Sequence, residues 1–151
     1  MGTGTNLALL QPVVVLAAWT MIMLVWTLGA RMPALKKAGI DLGGMVGGKG
    51  TDADRVLPAR TQWPSHNYNH LLEQPTAFYA VAIVLALAGA NDFPTRVAVW
   101  GYVTFRIVHS IWQASINRVS ARFGLFAISS MLLFALAVRA GLAVWEVKVP
   151  W

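Results

Sequence analysis

The sequence predicts an all-α membrane protein built as a bundle of four transmembrane helices. Apolar residues make up 57% of its 151 residues and charged residues only 12%. A water-soluble domain of this size has too little interior to bury so much apolar surface. The apolar residues are gathered into four long segments separated by polar connectors. Cysteine is absent, which excludes a disulfide scaffold, a cysteine nucleophile and a thiolate metal site. We expect one integral membrane domain over residues 1–151.

The first apolar segment, residues 6–30, carries no charge. About 20 apolar residues cross the hydrocarbon core as a helix, so this segment is long enough to span a bilayer. It is too long for the apolar part of a secretory signal, and no basic residue precedes it. The segment therefore predicts a retained transmembrane helix.

Residues 31–62 form a polar connector that Pro33, Pro58 and a glycine-rich stretch at 43–50 are expected to keep irregular. The glycine-rich stretch nearly matches a phosphate-binding loop. However, Gly50 replaces the Ser or Thr of that motif, and no strand is predicted before it. The other interpretation is a flexible loop at the membrane surface.

Three further helices are predicted, at residues 64–90, 95–117 and 123–146. Pro64 and Ser65 suit a first helical turn, because proline needs no N–H donor there and serine can cap the helix. A tight turn at 90–94 is expected to separate the second helix from the third.

Basic residues lie mostly at one end of the predicted bundle. Eight of the twelve Lys and Arg residues fall in the first and third connectors, which a four-helix topology places on the same side: Arg31, Lys36, Lys37, Lys49, Arg55, Arg60, Arg118 and Arg122. Because positive residues mark the cytoplasmic side, residues 31–62 are expected to be a cytoplasmic loop, with both termini on the opposite side. The net charge of +6 indicates contact with anionic membrane lipids and not with nucleic acid.

The third predicted helix carries a polar stripe on an otherwise apolar surface. At the helical repeat its members fall within an arc of about 100°: Tyr102, Arg106, His109, Ser110, Gln113 and Asn117. A charged Arg near the bilayer centre costs about 2.5 kcal/mol or more, so Arg106 must face the bundle interior, another subunit or a wet cavity, with an anion beside it. The stripe fits either a structural ion pair or a site for an anionic ligand. A third interpretation of the stripe is a proton or ion pathway through Arg106, His109 and Glu73.

The second predicted helix places His66, Asn69, His70 and Glu73 on one face. Glu73 is the expected partner of Arg106 or Arg118, because it is the only acidic residue in or near the cytoplasmic half of the membrane. The two histidines and the glutamate could hold a metal, or they could make ordinary polar contacts. We expect no metal site.

Arg122, at the start of the fourth predicted helix, has two interpretations of equal weight. It could be a membrane-interface residue that extends to lipid phosphate, or a cation that lowers a thiol pKa or binds a carboxylate. Arg139, in the outer half of the same helix, is expected to extend outward or to contact a neighbouring subunit.

Residues 66–80, with Arg106-x2-His109-x3-Gln113 and the pair Arg118 and Arg122, resemble the MAPEG family of membrane proteins in eicosanoid and glutathione metabolism. The resemblance covers nearly the whole chain. It implies a homotrimer that binds glutathione between subunits near the cytoplasmic side, with a lipophilic small-molecule substrate entering from the bilayer.

The resemblance also implies roles for individual residues. Arg122 would be catalytic and would stabilise the glutathione thiolate. The binding residues would be His66, Asn69, His70, Glu73, Arg106, His109, Gln113 and Arg118. This sequence has His66 where the family usually has Arg, His70 where Asn is usual, and Gln113 where many members have Tyr.

Two functional hypotheses follow from this resemblance. The first is a glutathione-dependent transferase or peroxidase acting on lipophilic electrophiles in a bacterial inner membrane. The second is a non-catalytic protein that binds membrane lipid or serves as an accessory subunit of a larger membrane complex, since one branch of the family activates another enzyme without chemistry of its own.

Overall fold

The computed structural model describes residues 7–44 and 46–145 and contains five α-helices, with no strand in those residues. The helices are α1 (Leu7–Lys37), α2 (Ala59–Leu71), α3 (Gln74–Leu87), α4 (Phe93–Ser115) and α5 (Val119–Val144). A short 3-10 helix, Gly50–Arg55, lies between α1 and α2. The all-α prediction is therefore confirmed. The predicted helix limits at residues 6 and 146 lie outside the described residues.

Among the described residues, three helical segments are long and apolar enough to cross a membrane: Leu7–Lys37, Ala59–Leu87 and Val119–Val144. The second of these combines α2 and α3. α4 is not among them, because Arg106, His109 and Gln113 interrupt its apolar sequence. Large apolar side chains on α5, such as Met131 and Phe134, are 72% and 73% exposed, as expected for a surface in contact with lipid.

α4 is the central helix of the bundle and packs against α1, α2 and α5, while α3 packs against α1 and α5. The buried positions of α1 recur every three or four residues along most of its length, which places them on one helix face: Leu9, Pro12, Leu16, Thr20, Met23 and Thr27. The ring of Phe78 on α3 stacks on that of Tyr102 on α4, with centroids 4.3 Å apart. The α4 residues of the polar stripe are buried as well, so the stripe faces the protein interior.

The predicted boundaries of the first connector were wrong. α1 continues past residue 30 to Lys37 with Pro33 inside it, and α2 begins at Ala59, before the predicted start at 64. Leu35 and Gln62, in these additional turns, are both buried. The burial of these two side chains stabilises the additional turns by more than the cost of the one hydrogen bond that Pro33 removes from the helix. The glycine-rich stretch follows α1 and precedes only a 3-10 turn, so the phosphate-loop alternative is not supported.

The predicted second helix is not continuous, because it breaks between Leu71 and Gln74. Glu73 has φ −88° and ψ −95°, outside the helical region, and Pro75 lies in the first turn of α3. Proline has no N–H, and its ring would collide with the carbonyl group four residues earlier in an unbroken helix. Pro75 therefore divides the segment into α2 and α3.

Asp92 caps the N-terminus of α4 and connects it to α5. Its Oδ1 accepts hydrogen bonds from the backbone N–H of Thr95 at 2.9 Å and from the Thr95 hydroxyl at 2.8 Å. Its Oδ2 accepts from Arg139 Nη2 at 3.0 Å. Desolvation raises the pKa of Asp92, but these hydrogen bonds outweigh it and lower the pKa to about 2. Arg139 thus has a partner within its own subunit, contrary to the expectation that it extends outward or meets a neighbour.

Asp92→Ala should lower the free energy of unfolding by about 1 kcal/mol, the usual cost of losing an N-cap. Asp92→Asn keeps the cap and removes only the charge, so it should cost less. Because the folded pKa is depressed, the ionic contribution of Asp92 is complete above the ordinary value of 3.8 and is lost as the pH falls to about 2. Thermal unfolding in detergent across this pH range tests the prediction; equal stability of the wild type and both variants would contradict it.

Candidate functional site

Arg106 lies at the centre of the bundle and is 0% exposed. Its Nη2 donates a hydrogen bond to the backbone carbonyl of His70 at 3.0 Å, and its Nη1 lies 3.4 Å from His70 Nε2. The guanidinium carbon is 5.8 Å from the centroid of the Phe126 ring. Of the three expected surroundings, which were the bundle interior, another subunit or a wet cavity, the structure shows the bundle interior. The expected anion beside Arg106 is replaced by the carbonyl and imidazole of His70.

The break between α2 and α3 explains why the His70 carbonyl is available to Arg106. In an unbroken helix this carbonyl would accept from the N–H of Gln74, four residues later. The helix ends at Leu71, and the N–H of Leu72 turns back to the carbonyl of Asn69 at 2.9 Å. The expected direct pairing of Glu73 with Arg106 or Arg118 is wrong. Among the described residues Glu73 pairs with His70, and a freed backbone carbonyl receives Arg106.

Glu73 reaches Arg106 only through His70. Its Oε2 lies 3.0 Å from His70 Nδ1, and its side chain is 69% exposed. A carboxylate only accepts hydrogen bonds, so this contact assigns the proton to Nδ1 and leaves Nε2 of neutral His70 as the acceptor that faces Arg106. The imidazole thus connects an exposed carboxylate to a buried guanidinium.

α5 places an aromatic ring and a cation beside this histidine. The Phe126 ring centroid is 5.4 Å from that of His70 and 6.3 Å from that of His109. Ser130, one turn further along, accepts from Gln74 Nε2 at 2.8 Å. Arg122 lies one turn before Phe126 on the same face of α5.

Asn117 positions Arg122, a role that the sequence analysis missed. Its Oδ1 accepts from Arg122 Nη1 at 2.6 Å. It was predicted as the last residue of a helix, but it lies beyond α4 with φ 55°, and its N–H donates to the Trp112 carbonyl at 2.8 Å. Asparagine tolerates this left-handed conformation better than most residues. An Asn at the end of a predicted helix, directly before the connector 118–122, was the available signal.

The four polar residues predicted to share one face of the second helix have different surroundings in the structure. His66 pairs with Asp54 at 3.0 Å, and Asn69 is exposed and lines a cavity beside α1. Only His70 and Glu73 of that face lie near Arg106. Arg118 is exposed at the N-terminus of α5.

Several buried polar atoms of the α4 stripe have no partner among the described residues: Arg106 Nε, His109 Nδ1 and Gln113 Oε1. Buried polar groups nearly always have hydrogen-bond partners. Because these atoms are shielded inside the subunit, an internal water is the partner that fits them without rearrangement. Within 7–44 and 46–145, no group of three or more His, Cys, Asp or Glu side chains could hold a metal ion.

A second polar contact, also missed from the sequence, joins three helices. Ser110 Oγ on α4 accepts from Trp19 Nε1 of α1 at 2.9 Å and from Asn67 Nδ2 of α2 at 2.5 Å. Asn67 is 0% exposed. Because this contact is one turn from Arg106, it fixes the register of α4 against α2 next to the site.

Arg106→Ala should destabilise the protein by about 1–3 kcal/mol, because it leaves the partly buried His70 carbonyl without its donor. Arg96→Ala is the matched control, since Arg96 is exposed on the same helix. Thermal unfolding of both variants in detergent provides the measurement. An Arg106→Ala protein as stable as the Arg96→Ala protein would contradict the importance of this contact.

A family model of the MAPEG family matches residues 9–142 of the chain. No curated protein and no solved structure matches it significantly. The family match covers most of the chain, including every residue of the site described above. Together with the apolar helices, it establishes a multi-pass integral membrane protein. The chain belongs to the MAPEG family.

Proposed function

We propose that this protein is a membrane-embedded, glutathione-dependent transferase or peroxidase that acts on lipophilic electrophiles. The observation that carries the proposal is the row of contacts from Glu73 through His70 to Arg106 at the α2–α3 break. Arg122 on α5, held by Asn117, supplies a further cation. MAPEG membership supports it, since the family includes enzymes of this kind as well as non-catalytic members.

The residues around the break suit the charges of glutathione, a tripeptide with two carboxylates and one ammonium group. Glu73 offers an exposed carboxylate to the ammonium group, while Arg118 and Arg122 offer guanidinium groups to the carboxylates. The unpartnered atoms of His109 and Gln113 are buried, so their hydrogen bonds to its peptide groups require the bundle to open next to α4. His66 and Asn69 complete the proposed binding set at the more exposed end of α2.

Arg106 has a different part in this proposal, because its side chain is fully buried and directed at His70. It fixes the backbone at the break and thereby the positions of His70 and Glu73. It also adds positive charge beneath the site, which favours an anionic ligand.

Arg122 would favour the thiolate of glutathione over the thiol, because a neighbouring cation lowers a thiol pKa. In the transferase reaction the thiolate forms a carbon–sulfur bond and the leaving group departs with its electron pair. In the peroxidase reaction two glutathione molecules are oxidised to their disulfide, while a hydroperoxide is reduced to an alcohol and water. The protein contributes proximity between a water-soluble nucleophile and a membrane-dissolved acceptor.

We further propose that α4 is a fourth membrane span and that three subunits form the active assembly. MAPEG membership supports both, because the resemblance implies a homotrimer of four-helix subunits. The basic residues of the first and third connectors favour a cytoplasmic site with both termini on the other side of a bacterial inner membrane.

Arg122→Ala should lower kcat/KM by about 100-fold, the usual effect of removing an electrostatic stabiliser of a developing anion. Arg60→Ala, which removes an exposed cation of the same predicted side, is the control. The assay follows glutathione turnover with an aryl halide or a lipid hydroperoxide, with size-exclusion chromatography to verify the assembly. Unchanged turnover in Arg122→Ala would remove Arg122 from the mechanism.

The alternative is a non-catalytic protein that binds lipid or a larger membrane complex. The replacements His66, His70 and Gln113 at positions where the family usually has other residues favour it. This alternative predicts no response to glutathione and no turnover.

Glutathione should raise the thermal stability of the wild-type protein, by about 2.7 kcal/mol at a concentration of 100 times Kd. Glu73→Gln should abolish most of this stabilisation, because it removes the proposed partner of the ammonium group. Asp41→Asn, an exposed carboxylate in the first connector, should retain it. The absence of any stabilisation in the wild type would favour the non-catalytic alternative.

A further inference from the structure

His70 contacts both charged groups at the α2–α3 break. Its Nδ1 lies 3.0 Å from Glu73 Oε2, and its Nε2 lies 3.4 Å from Arg106 Nη1. Its side chain is 25% exposed, between the 69% of Glu73 and the fully buried Arg106. The imidazole therefore lies between solvent and the protein interior, and each of its two nitrogens faces a charge.

Only the neutral imidazole of His70 suits both contacts. Neutral histidine has one N–H donor for the carboxylate and one acceptor nitrogen for the guanidinium. A proton added at Nε2 would turn that acceptor into a donor, so two cationic donors would face each other across 3.4 Å. Because Arg106 is buried, solvent screens this repulsion little, and an arginine cannot relieve it by losing its own proton.

The groups that face His70 from α4 and α5 do not offset this repulsion. The His109 ring of α4 lies 5.2 Å away and the Phe126 ring of α5 lies 5.4 Å away, measured between centroids. Arg122 of α5 adds a further positive charge near the imidazole. Glu73 is the one negative charge in contact with it, and solvent weakens that pair because the carboxylate is mostly exposed.

Charged groups on the other sides of His70 are bound elsewhere. Arg31 of α1 donates to Gln62. His66, one turn earlier on α2, pairs with Asp54. α3 carries no Asp, Glu, Lys, Arg or His. The balance of charge at the imidazole is therefore set by Glu73 on one side and by arginines on the other.

We propose that His70 is a positioning residue for Glu73 and that it makes glutathione binding sensitive to pH. In its neutral form it leaves the negative charge of Glu73 available at the break. When Nε2 takes up a proton from solvent, the imidazolium withdraws from Arg106 and forms an ion pair with Glu73. That ion pair competes with the ammonium group of glutathione. The inference rests on the proposed function for its ligand, whereas the charge change of His70 belongs to the ligand-free protein.

Proton uptake and glutathione binding therefore oppose each other. Histidine is the side chain that ordinarily changes charge between about pH 5 and 8. The carboxylates and the ammonium group of glutathione keep their charges from about pH 5 to 7, so a loss of binding over this interval comes from the protein. A single competing proton weakens binding by at most about tenfold per pH unit.

The first measurement is the glutathione affinity by titration calorimetry at about pH 7 and about pH 5. The Kd of the wild type should rise by about tenfold on acidification. His70→Asn keeps a donor for Glu73 and His70→Gln keeps an acceptor for Arg106, but neither amide takes up a proton, so both should bind almost equally at the two pH values.

The other two of the three histidines provide the controls. His66→Gln and His109→Gln remove a titrating group but leave His70 in place, so each should keep the rise in Kd. An equal rise in the wild type and in both His70 variants would overturn the inference. Loss of the rise in a control but not in the His70 variants would overturn it as well.

The second measurement needs no ligand. In the wild type labelled with ¹⁵N-histidine, NMR should show His70 protonated only at Nδ1 at about pH 7 and at both nitrogens at about pH 5. The spectrum of His70→Asn identifies its signals. A His70 that is doubly protonated at the higher pH, or still neutral at the lower pH, would contradict the inference. A wild type that binds no glutathione at either pH would contradict the proposed function, and the NMR result would still decide whether His70 changes charge.

Discussion

The hydrogen bond from Arg106 to the His70 carbonyl is the contact on which the rest of the site depends. A charged side chain inside an apolar bundle requires compensation, and here the compensation comes from the backbone. Pro75 interrupts the helix, the interruption frees the carbonyl, and the carbonyl receives the guanidinium. The fold therefore couples a local break in one helix to a buried charge on another.

This coupling determines which groups remain available for chemistry. Because the Nη atoms of Arg106 face His70 and not Glu73, Glu73 keeps an exposed carboxylate next to the break. Asn117 has an unusual backbone conformation, and its side-chain oxygen accepts a hydrogen bond from Arg122. This hydrogen bond fixes the position of Arg122. The site thus consists of a buried supporting layer and a more exposed layer, and only the exposed layer is accessible to a ligand without rearrangement of the subunit.

Much of this arrangement could be predicted from periodicity and charge. The apolar segments predicted the helices, and the cost of burying an arginine predicted that Arg106 faces inward. The partner of Arg106 could not be predicted, because a backbone carbonyl becomes available only when a helix breaks, and Pro75 was read as part of a continuous helix. Leu35 and Gln62 were likewise assigned to an irregular connector, since their burial depends on contacts that are distant in sequence.

The interruption at residues 72–73 also creates two helix ends within one predicted span. The end of α2 carries a partial negative charge and the start of α3 a partial positive charge, each about half an elementary charge. Arg106 lies at the negative end and Glu73 at the positive end, so each ionised side chain faces a dipole of favourable sign. The bundle can therefore hold opposite charges near each other without a direct salt bridge, which leaves the carboxylate free to exchange partners.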